Sequence, residues 1–304
     1  MSVLIDENTT FIIQGITGRE AVNMTRECLD YGSKIVGGVT PGRGGRDVYG
    51  VPVFDTVRQA VEDAGGSVHG SVITVPPSFV RDAAFEALEN GIRLIVIVTE
   101  RVPRQEVAQI VELAEMNGAR IIGPNCLGMI SPGKSKMGGI GGPAANTNQA
   151  YRPGHIGVMS RSGGMATEIS NALTAAGFGQ STTVSIGGDA IIGSTYAELM
   201  PLFEADPETQ AIVIYSEPGG PMEAQLAEWV KANNSRLPII AFMAGRFMDA
   251  MPGMRFGHAG TIVEGKQDTS AEKIRRLNDA GISVAEEIAQ IPELVKQRLK
   301  GGTR

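Results

Sequence analysis

The sequence predicts an α/β protein built as two successive open-sheet domains. Three observations carry that expectation. Strand-like apolar runs alternate with helical patterns from Thr10 to Ile122. A Gly-, Pro-, Asn- and Ser-rich stretch then interrupts the pattern over about residues 124–153, and the alternation restarts at His155. Strands alternating with helices of this length give right-handed βαβ units and a parallel sheet. With 304 residues, 42% hydrophobic and 20% charged, the chain has the length and composition for about two globular domains.

Taken in order, residues 10–14 (TFIIQ) form a buried strand, residues 15–18 a tight turn, and residues 19–31 a helix. A short strand at 34–36 leads into GGVTPGRGG at 37–45, which is too rich in glycine for a regular element. Helices at 56–64, 80–90 and 104–117 alternate with strands at 71–75, 94–98 and 120–122. After the crossing, a strand at 155–160 feeds a helix at 163–176. Further strands fall at 182–186, 211–215 and 239–242, with helices between them, and residues 270–300 hold two helical stretches. A ligand site between two such sheets is the default for this arrangement.

Charge and cysteine content narrow the function. A net charge of −6 gives no support for nucleic-acid or anionic-membrane binding, so an anionic ligand must be held by local donors. Cys28 and Cys126 lack metal-ligand spacing, which points to a reducing compartment and to no metal site. No apolar window approaches a membrane span, and the N-terminus shows no signal peptide. The expectation is a cytoplasmic protein, or a matrix-like one if a transit peptide has been removed.

Five stretches carry chemistry. Gly15-Ile16-Thr17-Gly18 sits between strand and helix, where helix N-terminal amides face an anion. A nicotinamide dinucleotide would require an acid at the end of the second strand, but that strand ends in Val36-Gly37-Gly38. Arg43 and Arg46 follow instead and suit a ligand with an extra ribose phosphate, as in coenzyme A. Residues 128–135 match the P-loop spacing formally, yet KMGGIGGP at 136–143 cannot sustain the helix a P-loop opens. Ser160-Arg161-Ser162-Gly163-Gly164 lies at a strand-to-helix junction and leaves amides open to an anion. Glu217 stands at the C-terminal end of a strand, where open sheets bind ligands. In Met254-Arg255-Phe256-Gly257-His258-Ala259-Gly260, small residues flank a histidine whose ring nitrogen is nucleophilic near neutral pH.

In this order along the chain, the motifs GITG at 15–18, GGVTPGRGG at 37–45, VTE at 98–100, GPNC at 123–126, SRSG at 160–163, IGGD at 186–189 and GHAG at 257–260 resemble the succinate–CoA ligase alpha-subunit family. The resemblance implies a Rossmann-type CoA-binding domain over 1–125, an inter-domain crossing at 126–153 and a flavodoxin-like domain over 154–304. It implies that Thr17, Gly18, Arg19, Glu20, Arg43, Val98, Thr99 and Glu100 bind coenzyme A, with Arg43 replacing the family's usual lysine. It further implies that His258 is phosphorylated, that Glu217 orients it, and that Ser162, Gly163 and Gly164 hold the phosphate. ATP or GTP with Mg²⁺ would be bound by a separate ATP-grasp beta subunit, giving a heterodimer or heterotetramer.

The departures bear on the acid. The succinate enzymes usually continue SRSG with Thr-Leu-Thr-Tyr-Glu, whereas Gly164-Met165-Ala166-Thr167-Glu168 follows here. SRSGGM, Tyr151-Arg152-Pro153-Gly154 and Phe256 are more similar to ATP-citrate lyase, and residues 245–256 form a longer loop than in the succinate enzymes. Small residues at Gly164 and Thr167 imply room for a bulkier acid. Succinate is the family default, with citrate or malate as alternatives. A non-catalytic CoA-binding protein is the competing class.

Overall fold

The computed structural model describes residues 2–254 and 256–301; Arg255 of the histidine stretch lies outside the described residues. The first half contains β1 (Thr10–Gln14), α1 (Arg19–Tyr31), β2 (Lys34–Val39), β3 (Asp47–Val48), β4 (Val51–Phe54), α2 (Val57–Asp63), β5 (Gly70–Ile73), α3 (Val80–Glu89), β6 (Leu94–Ile97), α4 (Arg104–Met116) and β7 (Arg120–Ile122). The second contains β8 (Gly128–Ser131), β9 (Ser135–Met137), α5 (Ala144–Ala150), β10 (Pro153–Ser160), α6 (Gly163–Ala175), β11 (Gln180–Ser185), α7 (Tyr196–Ala205), β12 (Ala211–Ser216), α8 (Met222–Asn233), β13 (Ile239–Met243), α9 (Ser270–Asp279), β14 (Ser283–Ala285) and α10 (Ile291–Gly301).

Two seven-stranded sheets result, ordered β3-β4-β2-β1-β5-β6-β7 and β14-β13-β12-β10-β11-β8-β9. In the first sheet every pairing is parallel except β3 on β4, and the parallel strands follow the Rossmann order. In the second, β11-β10-β12-β13-β14 follow the flavodoxin order, and the antiparallel pair β8–β9 extends it at the β11 edge. Strands β5, β6, β11 and β12 are buried at every residue, as expected where helices cover both faces. One apolar cluster runs from Ile13 and Val72 through Met129 and Met137 to Met159 and Ile214, so the two sheets share a core.

Several elements differ from the sequence expectation, among them the β3–β4 pair over residues 47–54, where no strand was expected. Gly37, Gly38 and Val39 belong to β2 rather than to a loop. The reason is packing: a Cβ on Gly38 would lie 2.4 Å from the Ile16 side chain, so glycine lets the 15–18 turn press onto the strand. The Gly/Pro-rich stretch at 124–153 holds β8, β9 and α5, and its strands pair onto the second sheet rather than merely crossing to it. The formal P-loop match is the β8–β9 hairpin, with Lys134 bound to Glu208 at 3.1 Å. The tail adds β14 between its two helices.

Candidate functional site

In an open α/β sheet, ligands sit beyond the carboxyl ends of the strands where strand order reverses. The first sheet reverses at β1, between β2 and β5. A cavity of about 610 Å³ opens there, lined by Gln14, Gly15, Thr17, Gly18, Thr40, Pro41, Val75, Pro76 and Phe79. Gly15 turns the chain out of β1 at φ 84°, and Gly18 opens α1 with no side-chain cap. The first-turn amides of α1 therefore have no side-chain acceptor from that position.

Thr17 and Gly18 line this cavity, while Arg19 and Glu20 are exposed on the first turn of α1 outside its lining. Arg43 is exposed at the tip of a loop whose Arg43 and Gly44 amides donate to Asp55 at 3.0 and 2.9 Å. Those amide bonds hold the Asp55 carboxyl below its ordinary range. Val75, Pro76 and Phe79 were not legible as lining residues, because nothing in Val75-Pro76-Pro77 marks a ligand wall beyond its place after a strand.

The Val98-Thr99-Glu100 segment leads toward the second sheet. Thr99 donates its hydroxyl to the Val75 carbonyl at 2.7 Å, and its own carbonyl accepts from the Asn125 amide at 3.0 Å. Asn125 in turn donates to Asp189 at 3.0 Å, and the Gly188 amide donates to the Asn125 carbonyl. In the same joint the Gly123 amide donates to the Ile186 carbonyl, and the Gly123 carbonyl accepts from the Gly193 amide. The thiol of Cys126, in the same GPNC turn, is fully buried and pushed up to about 12, so it is a packing group rather than a nucleophile.

The second sheet reverses at β10, between β11 and β12. Arg161 follows β10, Gly187 and Gly188 follow β11, and Glu217 follows β12. His258 arrives from the loop before α9 and meets Glu217 with Nδ1 2.8 Å from Oε2. An ionised carboxylate only accepts, so Nδ1 carries the hydrogen and Nε2 keeps its lone pair. The loop is fixed from within. Thr261 donates to the carbonyls of Phe256 and His258 at 2.7 and 2.8 Å, and the Gly260 amide donates to the Gly188 carbonyl at 3.1 Å. A Cβ on Gly188 would lie 2.4 Å from the imidazole, so only glycine lets the ring seat.

A second cavity, of about 580 Å³, is lined by Glu100, Arg101, Arg104, Asn125, Asp189, Gly257, His258 and Ala259, and thus has walls from both halves. Beneath it, burial first and the Glu217 charge second push the Tyr215 phenol up. Burial first and the Glu223 charge second do the same for Tyr196, so both phenols stay protonated. Lys273, 2% exposed, donates to the Glu217 carbonyl at 2.9 Å and to the Glu223 carboxylate at 2.7 Å. In the sequence Lys273 reads as one more charge on an amphipathic helix.

Helix α6 begins directly after Arg161. Ser162 caps it, accepting from the Met165 amide at 3.4 Å, and a Cβ on Gly163 would strike Leu127. Gly164 has nothing within 4 Å of its Cβ position. Thr167 lies one turn further along α6. Its hydroxyl meets the buried Tyr151 phenol at 2.9 Å, and Thr167 is not in the lining of the cavity at His258. Among the described residues no three His, Cys, Asp or Glu side chains gather as a metal site, and no helix is long and apolar enough to cross a membrane.

A family model described as "CoA binding domain" matches residues 6–101, and one described as "CoA-ligase" matches residues 159–293. The chain is 43% identical over 300 residues to "Succinate--CoA ligase [ADP-forming] subunit alpha 1" of Archaeoglobus fulgidus, covering 99% of both chains. It is 42% identical over 285 residues to the alpha subunit of the same ligase from Staphylococcus aureus, covering 94% of this chain and 91% of that one. Among solved structures, a Methanosaeta concilii ATP citrate lyase in complex with (3S)-citryl-CoA matches at a TM-score of 0.90 with 25% identity. This chain is covered to 98% in that match and spans 51% of the lyase chain. A Methanothrix soehngenii ATP citrate lyase with citrate and coenzyme A matches at a TM-score of 0.89 with 25% identity, covering 99% of this chain and 52% of that one.

Proposed function

Because the chain belongs to the succinate–CoA ligase alpha-subunit family, we infer that its geometry serves a nucleoside-diphosphate-forming carboxylate–CoA ligase in which His258 relays the phosphoryl group. The observation that carries this is the Glu217–His258 pair at 2.8 Å, set in the wall of a cavity that Glu100 and Asn125 also line. The pair leaves Nε2 as the nucleophile and gives the imidazole one orientation.

Three displacements follow. His258 Nε2 attacks the terminal phosphorus of the triphosphate, and the diphosphate leaves. A substrate carboxylate oxygen then attacks that phosphorus, which frees His258 and gives an acyl phosphate. The thiol of coenzyme A finally attacks the acyl carbon, its proton is lost, and inorganic phosphate departs. The Ser162 cap engages the Met165 amide, so the first-turn amides of Gly163 and Gly164, with Ser162, supply donors for phosphoryl oxygens. Coenzyme A fits the 610 Å³ cavity at the first switch point: Thr17 and Gly18 offer a turn for its phosphates, and Val75, Pro76 and Phe79 an apolar wall. Arg43 is the phosphate partner at the exposed rim.

The relatives are alpha subunits, and a beta subunit is the implied partner. We assign ATP or GTP and its Mg²⁺ to an ATP-grasp domain of that subunit, in a heterodimer or heterotetramer. Succinate is the primary acid. Citrate is a second reading, supported by the open space at Gly164 and by the fold shared with the two ATP citrate lyases.

Labelled triphosphate supplied with the partner subunit should leave an acid-labile, base-stable label on this chain. His258→Ala should remove both the label and thioester formation, and a label retained in that variant would place the phosphoacceptor elsewhere. Competition among succinate, malate and citrate then ranks the acids.

A further inference from the structure

The side chain of Arg161 is 1% exposed, yet its hydrogen-bonding is incomplete. Nη2 donates to the carbonyls of Gly188 and Asp189 at 3.3 and 3.2 Å, while Nε and Nη1 are buried with no hydrogen-bond partner. A buried guanidinium needs a counter-charge. The carboxylate beside it is Glu217, whose Oε2 lies 4.0 Å from Nε, and that same oxygen accepts from His258. The histidine loop is shaped around the guanidinium as well: a Cβ on Gly260 would lie 2.2 Å from Nη2. Arg161 therefore lies beside the carboxylate that holds the imidazole, bonds the turn at Gly188 that abuts the ring, and packs where Gly260 leaves room for it.

We propose that Arg161 is a positioning residue for phosphoryl transfer. Its guanidinium, 4.0 Å from Glu217 Oε2, fixes the place of that carboxylate, so Nδ1 stays bonded to it and Nε2 presents its lone pair to phosphorus. Its two carbonyl bonds hold Gly188 against the ring face. Arg161 makes no contact with substrate in this role. The proposal rests on His258 being the phosphoacceptor, and the test separates the two.

The full chain with its partner subunit is compared as wild type, Arg161→Lys, Arg161→Gln and His258→Ala. Two quantities are read: the rate of acid-labile labelling, and the tautomer of His258 by ¹⁵N NMR. Arg161→Gln should lose about 10–100-fold in labelling rate, the scale seen when a group orienting a functional histidine is removed. It should also convert a single Nδ1–H tautomer into a mixture and leave CoA affinity unchanged. Arg161→Lys, which keeps the charge, should recover most of the rate and the tautomer. A wild-type rate and tautomer in Arg161→Gln would overturn the proposal, as would a lysine variant as slow as the glutamine variant with the tautomer unmoved. If Arg161→Gln fails to fold, the comparison moves to Glu217→Gln against Arg161→Met/Glu217→Gln. With the carboxylate already neutral, loss of Arg161 should cost only what its bonds to Gly188 and Asp189 contribute, less than in the presence of Glu217, and a fully additive loss would refute the coupling. A label that survives His258→Ala would instead defeat the phosphohistidine assignment itself.

Discussion

Replacing Gly188 with alanine tests the geometry that the proposed phosphoryl transfer through His258 requires. The added Cβ would lie 2.4 Å from His258 Cγ, 2.5 Å from Cδ2 and 2.7 Å from Nδ1. Ordinary contact begins at 3.4 Å, so ring and backbone must separate by about 1 Å. The ring is the part that gives: the His258 side chain is 27% exposed and borders the cavity, whereas the Gly188 carbonyl is held by Arg161 and by the Gly260 amide. A shift of that size moves Nδ1 out of its seat on Glu217, where the bond is 2.8 Å, and moves Nε2 with it. Misplacing a reacting group by 1 Å costs about 10²-fold in rate, or about 2.7 kcal/mol of barrier. Gly188 does not have a positive φ, so alanine brings no backbone strain and the thermal midpoint should move little. Rapid-quench labelling of the chain with its partner should show the loss, with CoA affinity by calorimetry unchanged. Labelling within threefold of wild type would show that the ring does not need this seat, and the tautomer and orientation argument would fail with it.

Arg43→Glu should weaken CoA binding about tenfold, a moderate value because the side chain is exposed and its phosphate contact is screened; calorimetry giving an unchanged affinity would remove Arg43 from the site. Thr167→Val deletes the hydroxyl that meets Tyr151 at 2.9 Å, and should cost about 1 kcal/mol in thermal or denaturant unfolding while leaving the ranking of acids as it was. A shift in that ranking would show that position 167 does face the substrate. Lys273→Met strands the buried Glu223 carboxylate and should destabilise by about 3–5 kcal/mol, whereas Lys273→Met with Glu223→Leu should recover most of that loss. Equal loss in single and double variants would mean that the ties to the Glu217 and Gly219 carbonyls, and not the ion pair, hold the loop.

The βα alternation was legible because each buried strand is a short apolar run and each helix keeps its own period. Legibility failed where composition and packing disagree. Gly37 and Gly38 read as loop, but they are strand residues chosen for the closeness of Phe54 and Ile16. The β8–β9 hairpin hides among Gly, Pro and Ser because its strands, four and three residues long, are too short for a period to show. The pairing of Glu217 with His258, 41 residues apart, came from resemblance to a family and not from spacing. Arg161 and Lys273 could not be singled out, since nothing local tells which of many charged residues is walled in. At Thr167 the sequence showed a small polar residue on α6, but not the phenol that meets its hydroxyl, which comes from Tyr151 just beyond α5.

The joint at Gly123 and Asn125 has a consequence for how such a chain diversifies. Its bonds to Thr99, Ile186, Gly188 and Gly193 run from main-chain amide to main-chain carbonyl. Such a weld demands glycine at its own positions, since a Cβ on Gly123 would lie 2.3 Å from the Ile97 carbonyl and one on Gly193 2.2 Å from Ile121, but it draws no bond from the side chains displayed beyond it. Mutations can therefore rewrite the walls of either chamber without tilting one against the other. A lineage can exchange one acid for another while the thiol and the phosphorus keep their rendezvous, and kinship in shape outlasts kinship in letters.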